Sequence, residues 1–371
     1  MKVKIAISEP PEVIDPLVTD LAACIARSKR ALVITGAGIS CTGGIPDFRS
    51  ADGLYNLVKK KHPKVVLRGA EMFDAMLFRD EKRIRCFYTF MAELKKMIDT
   101  ATPTPTHTFI RNLNEKGQLM RCYTQNIDCL EEALDLPVVQ LHGTMSKVKC
   151  TLCAASYNFT TDYEKQFREG DPPACPKCES VDNERARLGK RQLATGTLRP
   201  DIVLYNEAHP HGETIGQLQV SDLKKKPDLM IIMGTSLKIA GVKKFIKQAA
   251  RAIHSTKNGC VVFVNKTPAT KEWDKVFDYE VIGSTDEWVK MTELKLEDQQ
   301  ALAAAKLRLK RSVSDVKEEI DDNEKENVGK TSSNRASKRS KTTESKTTQT
   351  TLSSFCVTKR KATTKDNKKG A

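Results

Sequence analysis

The residues of this chain best suited to chemistry are a glycine turn, a histidine after an apolar run and two cysteine pairs. The turn is Thr35-Gly36-Ala37-Gly38-Ile39-Ser40, running on to Gly44-Ile45-Pro46-Asp47-Phe48-Arg49-Ser50. Glycines let a backbone turn tightly and come close to a ligand. A helix opening at such a turn would direct free N–H groups at phosphate. The Gly-x-Gly-x-x-Gly dinucleotide fingerprint fails at its last position, which is Cys41. Asp47, Phe48 and Arg49 nevertheless set an acid, an aromatic and a cation just beyond a rigid Ile45-Pro46. A loop that only connects elements has little need of all three.

Cys150-x-x-Cys153 and Cys175-x-x-Cys178 are separated by 21 residues. That is slightly beyond the spacing of about 15–20 usual for a zinc ribbon. Four thiolates close a tetrahedral shell with no open position, so the spacing predicts a structural zinc. The metal would pin residues 145–197, a module too small to hold a good core alone. Cys24, Cys41, Cys86, Cys122, Cys129 and Cys260 lie in apolar settings and read as buried small residues. His142 ends the run Val138 to Leu141. A histidine there serves as a structural hydrogen-bonding group or, with a pKa of about 6.5, as a base at neutral pH.

The elements that must position these groups read as an alternating pattern. Asp15 to Ser28 is predicted helical, followed by a strand over Ala31 to Ile34. Ala51 to Arg68 reads as a mobile loop of the kind that closes over a cofactor. Glu71 to Phe78, Glu81 to Ile98 and His107 to Asn114 are predicted helices, with a break at the prolines of Thr102 to Thr106. Leu119–Thr124, Val138–Leu141, Ile202–Leu204, Leu229–Met233, Val261–Val264 and Tyr279–Ile282 are predicted strands. They end in Gln125-Asn126-Ile127-Asp128, His142-Gly143, Tyr205-Asn206-Glu207, Gly234-Thr235-Ser236-Leu237, Asn265 and Gly283-Ser284-Thr285-Asp286. Polar groups at the ends of buried strands are where an open α/β sheet contacts its ligand. The pattern therefore predicts an α/β, Rossmann-like doubly wound parallel sheet, with a smaller inserted module made of a zinc ribbon and a helical part.

The chain has 371 residues, 39% of them hydrophobic, and a net charge of +15. No apolar run reaches the roughly 18 residues of a membrane span. Met1 to Pro11 lacks the apolar core of a secretory signal, so an intracellular protein is expected. The basic balance favours acidic partners such as chromatin or nucleic acid, or serves solubility alone. Residues 291–371 hold 19 Lys and Arg against 12 Asp and Glu and a single aromatic, Phe355. Apart from a predicted helix over Leu294 to Leu309, that composition predicts a disordered tail. The expected division is 1–290 as catalytic domain, with inserted segments at about 41–115 and 145–197, and 291–371 as tail.

Seven segments together resemble the sirtuin family of NAD-dependent protein deacylases over roughly Ile14 to Lys290. They are Gly36-Ala37-Gly38-Ile39-Ser40, Ile45-Pro46-Asp47-Phe48-Arg49, Gln125-Asn126-Ile127-Asp128, Leu141-His142-Gly143, the four cysteines, Leu198-Arg199-Pro200-Asp201-Ile202-Val203 and Gly234-Thr235-Ser236-Leu237. The resemblance implies NAD consumed as co-substrate, with one structural zinc on Cys150, Cys153, Cys175 and Cys178. Gly36, Ala37, Gly38 and Ile39 would meet the pyrophosphate, with Gly234, Thr235 and Ser236 near the phosphates. Asn265 would meet the adenosine ribose, and Thr285 the adenine. Gln125, Asn126, Ile127 and Asp128 would form the nicotinamide pocket, with Asp47, Phe48 and Arg49 folding over the ribose. His142 would be the general base and Asn126 its catalytic companion. In the family's mechanism the acetyl oxygen attacks the ribose carbon that carried nicotinamide, and the histidine deprotonates a ribose hydroxyl.

Val203, Leu204, Tyr205, Asn206 and Glu207 would form the substrate strand, pairing with an extended acyl-lysine peptide. Leu204-Tyr205-Asn206 departs from the aromatic pair and glycine usual there. No Tyr-x-x-Arg follows Gly53, since Tyr55 meets Val58 at that spacing, so acetyl is the expected acyl group. Removal of longer acyl groups, protein mono-ADP-ribosylation and an inactive chromatin-binding zinc module are the alternatives. The basic tail resembles that of the fungal nuclear branch, which deacetylates histones. Its clusters Lys306–Arg311, Arg335–Lys341 and Lys359–Lys361 are candidate import signals or chromatin contacts. Gln349, Leu352 and Phe355 resemble the motif that docks on the sliding clamp PCNA, with Cys356 replacing its second aromatic. Val316-Lys317-Glu318-Glu319 fits a SUMO acceptor motif.

Overall fold

The computed structural model describes residues 2–302, 304–306 and 308, apart from 64 and 67. The chain opens with strand β1 (Val3–Ala6), helix α1 (Pro11–Arg27) and strand β2 (Ala31–Thr35). Helices α2 (Leu54–Lys61), α3 (Glu81–Thr100) and α4 (Pro105–Glu115) follow, then β3 (Leu119–Thr124) and β4 (Val138–Gln140). A second group comprises β5 (Gly143–Cys150), β6 (Ser156–Asn158), α5 (Thr161–Glu169), α6 (Pro176–Arg187) and β7 (Leu198–Ile202). The last group is α7 (Gly212–Lys224), β8 (Leu229–Met233), α8 (Ala240–His254), β9 (Cys260–Asn265) and β10 (Tyr279–Ile282). A closing helix, α9, covers residues 285–302.

Seven strands form one sheet in the order β1-β10-β9-β8-β2-β3-β4, each neighbouring pair parallel. A parallel sheet is covered on both faces, which is why β2 and β8 read as unbroken apolar runs. Successive side chains point to opposite faces. Ala31 and Val33 therefore join a core with α1, α4 and α9, while Leu32 and Ile34 join one with α8. The chain winds outward from β2 through β3 to β4 on one side, and from β8 through β9 to β10 on the other. Its direction reverses between β2 and β8, where such folds bind ligands outside the carboxyl ends of the strands.

The inserted module is a three-stranded antiparallel sheet, β6-β5-β7. It shares a third core with α2, α3 and α5, including Phe87, Tyr88 and Phe167. The doubly wound sheet and inserted module expected from the sequence are thus present. Several elements differ in detail. The stretch predicted as a loop over Ala51 to Arg68 holds α2, because Leu54 and Val58 share one face and are buried. Glu71 to Phe78 is not an α-helix but two 3-10 turns, Gly69–Phe73 and Ala75–Arg79, broken at an extended Asp74. Ile202–Leu204 is no strand of the large sheet: Ile202 closes β7 of the small one. Cys86, Cys122 and Cys260 are buried as expected, whereas Cys24, Cys41 and Cys129 are only half-buried. The basic clusters from Arg335 onward, the clamp motif and the SUMO motif lie outside the described residues.

Helix α9 begins at residue 285 rather than 294 and runs past the boundary drawn at 290. Trp288, Val289 and Leu296 are buried in the core that α1 shares. Lys295 pairs with Asp15 (3.0 Å), and Gln299 donates to the Thr19 carbonyl (3.2 Å). A chain ending at 290 should therefore melt roughly 4–8 °C below one ending at 310, from the loss of Leu296 burial and these contacts. Equal melting temperatures in a calorimetric scan would place the domain boundary at 290.

Candidate functional site

The turn after β2 is made of two short 3-10 segments, Ala37–Ile39 and Cys41–Gly43, in place of an α-helix. It lies against the turn after β8. Gly38 N–H donates to the Gly234 carbonyl (2.9 Å), and a Cβ on Gly38 would sit 2.8 Å from Gly234 Cα. Only glycine permits that approach. Ala37 N–H makes no backbone hydrogen bond among the described residues, so it is available to an anion. Leu237 adopts a left-handed backbone (φ 54°), a strained conformation of the kind functional loops store.

Beyond β3, Gln125 Nε2 donates to the Thr35 carbonyl (3.1 Å) and the Thr235 hydroxyl (3.0 Å), tying three strand ends together. Asn126 is buried; its Nδ2 faces Ser40 Oγ (3.4 Å) and Glu131 Oε1 (3.5 Å). Its Oδ1 is buried without a partner. A buried acceptor left unpaired costs roughly 1–3 kcal/mol, which a ligand N–H would recover. Asp128 accepts from Ser40 Oγ (2.7 Å) and Leu130 N–H (3.2 Å). Burial, reinforced by the negative charge of Glu131, pushes its pKa up to about 6. Asn126 Oδ1 and the Asp128 carboxylate thus set two acceptors beside each other.

His142 follows β4, and Leu141 N–H donates to the Thr124 carbonyl (2.8 Å), holding it beside the end of β3. His142 Nδ1 lies 2.8 Å from the Gln125 carbonyl. A carbonyl only accepts, so Nδ1 carries the proton and Nε2 of the neutral ring keeps its lone pair. Burial holds the imidazole pKa below 6.5, with the charges of His209 and Arg49 adding to the effect and the Gln125 carbonyl opposing it. The ring is therefore a base at neutral pH.

In the loop after the turn, Asp47 accepts from the backbone of Arg49 (2.6 Å) and Ser50 (2.7 Å). Phe48 stacks edge-on against Phe73 (5.3 Å) and Tyr55 (5.7 Å). Arg49 donates to Ser236 Oγ (3.3 Å), which links this loop to the β8 turn. Asn265 ends β9 and donates to Thr267; Thr285 is buried at the start of α9. Ile127 is buried, and its carbonyl accepts from Met145 N–H (3.0 Å).

The segment Val203 to Glu207 runs beside His142, whose carbonyl accepts from Val203 N–H (2.9 Å). Leu204 is buried, and Tyr205 bridges Asp74 in parallel. Asn206 stands in a left-handed conformation (φ 61°), which asparagine tolerates where glycine is usual. Glu207 does not face the histidine: it turns back to Arg199 and to Leu204 N–H (3.2 Å).

The four cysteine sulfurs all lie within 4.8 Å of one another, with Cys150–Cys178 at 3.8 Å and Cys153–Cys175 at 3.7 Å. A tetrahedron of zinc–sulfur bonds of about 2.3 Å has edges of about 3.8 Å, so the set fits zinc. Leu152 and Cys153 N–H groups point at Cys150 Sγ (both 3.3 Å), the donors a thiolate ligand needs.

Glu131 was not among the residues the sequence suggested. It is buried and accepts from Thr35 Oγ1 (2.9 Å) and Thr124 Oγ1 (2.7 Å) besides Asn126. The signal was an acid among Ile127, Leu130, Ala133 and Leu134.

A doubly wound parallel sheet with glycine turns at its strand ends and an inserted four-cysteine module is the fold of the sirtuin class. The Sir2 family profile matches residues 36–241, and the chain belongs to that family. It is 46% identical over 298 residues to an NAD-dependent histone deacetylase HST3 of Candida albicans, covering 74% of this chain and 61% of that protein. The HST3 deacetylase of Saccharomyces cerevisiae is 42% identical over 324 residues, covering 80% of this chain and 72% of the relative. A solved structure described as "Structural Basis for the Mechanism and Regulation of Sir2 Enzymes" superposes with a TM-score of 0.58 at 28% identity. That match covers 77% of this chain and 99% of the other. The present chain thus spans 61% of the length of the Candida relative.

Metal analysis should find one zinc per chain, and Cys175→Ser should lose it along with several kcal/mol of stability. A metal-free wild type that melts at the same temperature as the loaded protein would exclude a structural zinc.

Proposed function

We propose that the chain is an NAD-dependent protein-lysine deacetylase acting on histones, with transfer of the acetyl group to ADP-ribose and release of nicotinamide. The observation that carries this reading is His142 Nδ1 bonded to the Gln125 carbonyl beside the unpaired Oδ1 of Asn126. The names of the two HST3 relatives support histones as the substrate class. NAD bound in the crevice supplies a ribose carbon activated by a leaving nicotinamide.

The residues of the chain do the rest. Gly36 to Ile39 and Gly234 to Ser236 bring backbone close to the diphosphate, while Asn265 and Thr285 take the adenosine end. Gln125, Asn126, Ile127 and Asp128 hold the nicotinamide amide. The loop of Asp47, Phe48 and Arg49 closes over the ribose, with Phe48 excluding water and Arg49 reaching Ser236 beside the diphosphate. The edge of Val203 to Glu207 pairs with the acetyl-lysine peptide. His142 Nε2 accepts a proton from a ribose hydroxyl, and Nδ1 stays anchored on the Gln125 carbonyl.

An acetylated-histone peptide panel should yield nicotinamide and acetyl-ADP-ribose only with NAD, and His142→Ala should lower kcat by about 10²–10⁴-fold. His142 acts as a base when neutral, and its pKa is depressed, so the acid limb of kcat/KM should fall below pH 6.5. A zinc-loaded wild type that binds NAD yet releases neither product from any acetyl peptide would overturn deacetylation.

The place of action in this reading is the nucleus, in chromatin silencing, replication or genome maintenance. The basic clusters and the Gln349-Leu352-Phe355 motif of the sequence support it. A peptide of Lys346 to Lys361 should bind the sliding clamp, and a chain lacking residues 310–371 should lose nuclear accumulation. Absence of clamp binding at high micromolar peptide and unchanged nuclear location would remove this part.

A further inference from the structure

The Leu204-Tyr205-Asn206 departure has a physical consequence at Tyr205. Its backbone is fixed on both sides: N–H donates to the Phe73 carbonyl (2.7 Å), and its carbonyl accepts from Ala75 N–H (3.0 Å). Next to it, Asn206 Nδ2 donates to the Asp74 carboxylate (2.8 Å). From this anchored position the phenol oxygen accepts from Arg49 Nη2 (2.9 Å) and lies 3.3 Å from the Tyr55 hydroxyl. The guanidinium also sits 5.8 Å from the Tyr55 ring centre, and its Nη1 donates to Ser236 Oγ (3.3 Å).

Arg49 is therefore held by neutral groups, and among the described residues it has no carboxylate partner. A guanidinium carries about 2 kcal/mol of side-chain entropy, lost when it clamps an anion. Fixing it beforehand lowers that cost. A phenylalanine at 205 would supply the ring and leave Arg49 Nη2 without its acceptor.

We propose that Tyr205 is a positioning residue: its hydroxyl holds Arg49 toward Ser236, presetting the guanidinium for the cofactor diphosphate and tying the cofactor loop to the substrate segment. The proposal rests on the NAD reading of the site. One side chain then belongs to both binding surfaces. Tyr205 is held by the Phe73 and Ala75 backbone, and in turn holds Arg49.

The test is calorimetric titration of the full chain with ADP-ribose, which needs no chemistry, together with NAD saturation kinetics on an acetyl-lysine peptide. Tyr205→Phe should weaken ADP-ribose binding about five- to tenfold, the net worth of one ordinary hydrogen bond. The KM for NAD should rise by the same factor, and more than the KM for peptide, with the melting temperature unmoved. In an Arg49→Ala background the same change should have no further effect, since its partner is gone. Wild-type affinity in Tyr205→Phe, or an undiminished effect without Arg49, overturns the proposal while leaving the NAD reading intact. A wild type that binds no ADP-ribose overturns that reading and the proposal with it.

Discussion

The mouth of the large sheet depends on one backbone contact, the approach of Gly38 to Gly234. The two turns belong to β2 and β8, the neighbours at which the chain reverses its winding. Either turn alone is a tight bend. Set against each other, with Gly38 N–H on the Gly234 carbonyl, they leave no room for a side chain between strand ends. That absence lets a ligand lie on main chain, beside an Ala37 N–H that has no backbone partner among the described residues. Everything else at the site is arranged around this seam: Gln125 reaches across it from β3, and Arg49 folds back over it to Ser236.

Behind the seam lies a buried polar group the sheet could not easily do without. Glu131 receives the hydroxyls ending β2 and β3 and turns the Asn126 amide so that its oxygen is left over. Burial raises the pKa of both Glu131 and Asp128, and the negative charge of Glu131 adds to the effect at Asp128. Two acids this close to one pocket are costly in a folded protein without a ligand. Removing either partner of such a network would strand the other's hydrogen bonds, so the cluster fixes one geometry and not a family of them.

Much of this was legible in the sequence because it is local. Apolar runs ending in polar residues gave the strands of the large sheet, and cysteine spacing gave the zinc set. What was not legible is long-range. Glu131 has meaning only through Thr35, far back in the chain. Helix α2 was hidden by Lys59-Lys60-Lys61, since three exposed charges outweigh two buried apolar residues in any short window. Strand β1 has four residues and is a strand only because β10 pairs with it. The course of α9 past residue 290 was hard to read because that helix is polar in composition, and its few apolar residues acquire significance only against α1.

The zinc module is less separate from the site than its sequence position implies. Strand β5 begins at the residue after His142 and ends at the zinc ligand Cys150. Strand β7 returns beside it, from Leu198 opposite Cys150 to Ile202 opposite Gly143. Residues 203–207 leave from that end of β7. One two-stranded ladder therefore has the four-cysteine set at one end, and His142 and Val203 at the other. Gly196 allows the return: a Cβ there would sit 2.5 Å from Cys150 Sγ. The same core contains Cys150, Cys175, Ile127, Ile202 and Leu204. A zinc on the four cysteines would close its own shell and take no part in the chemistry. The ladder would join it to the Val203–His142 contact, so that fixing the cysteine end would steady the other end as well.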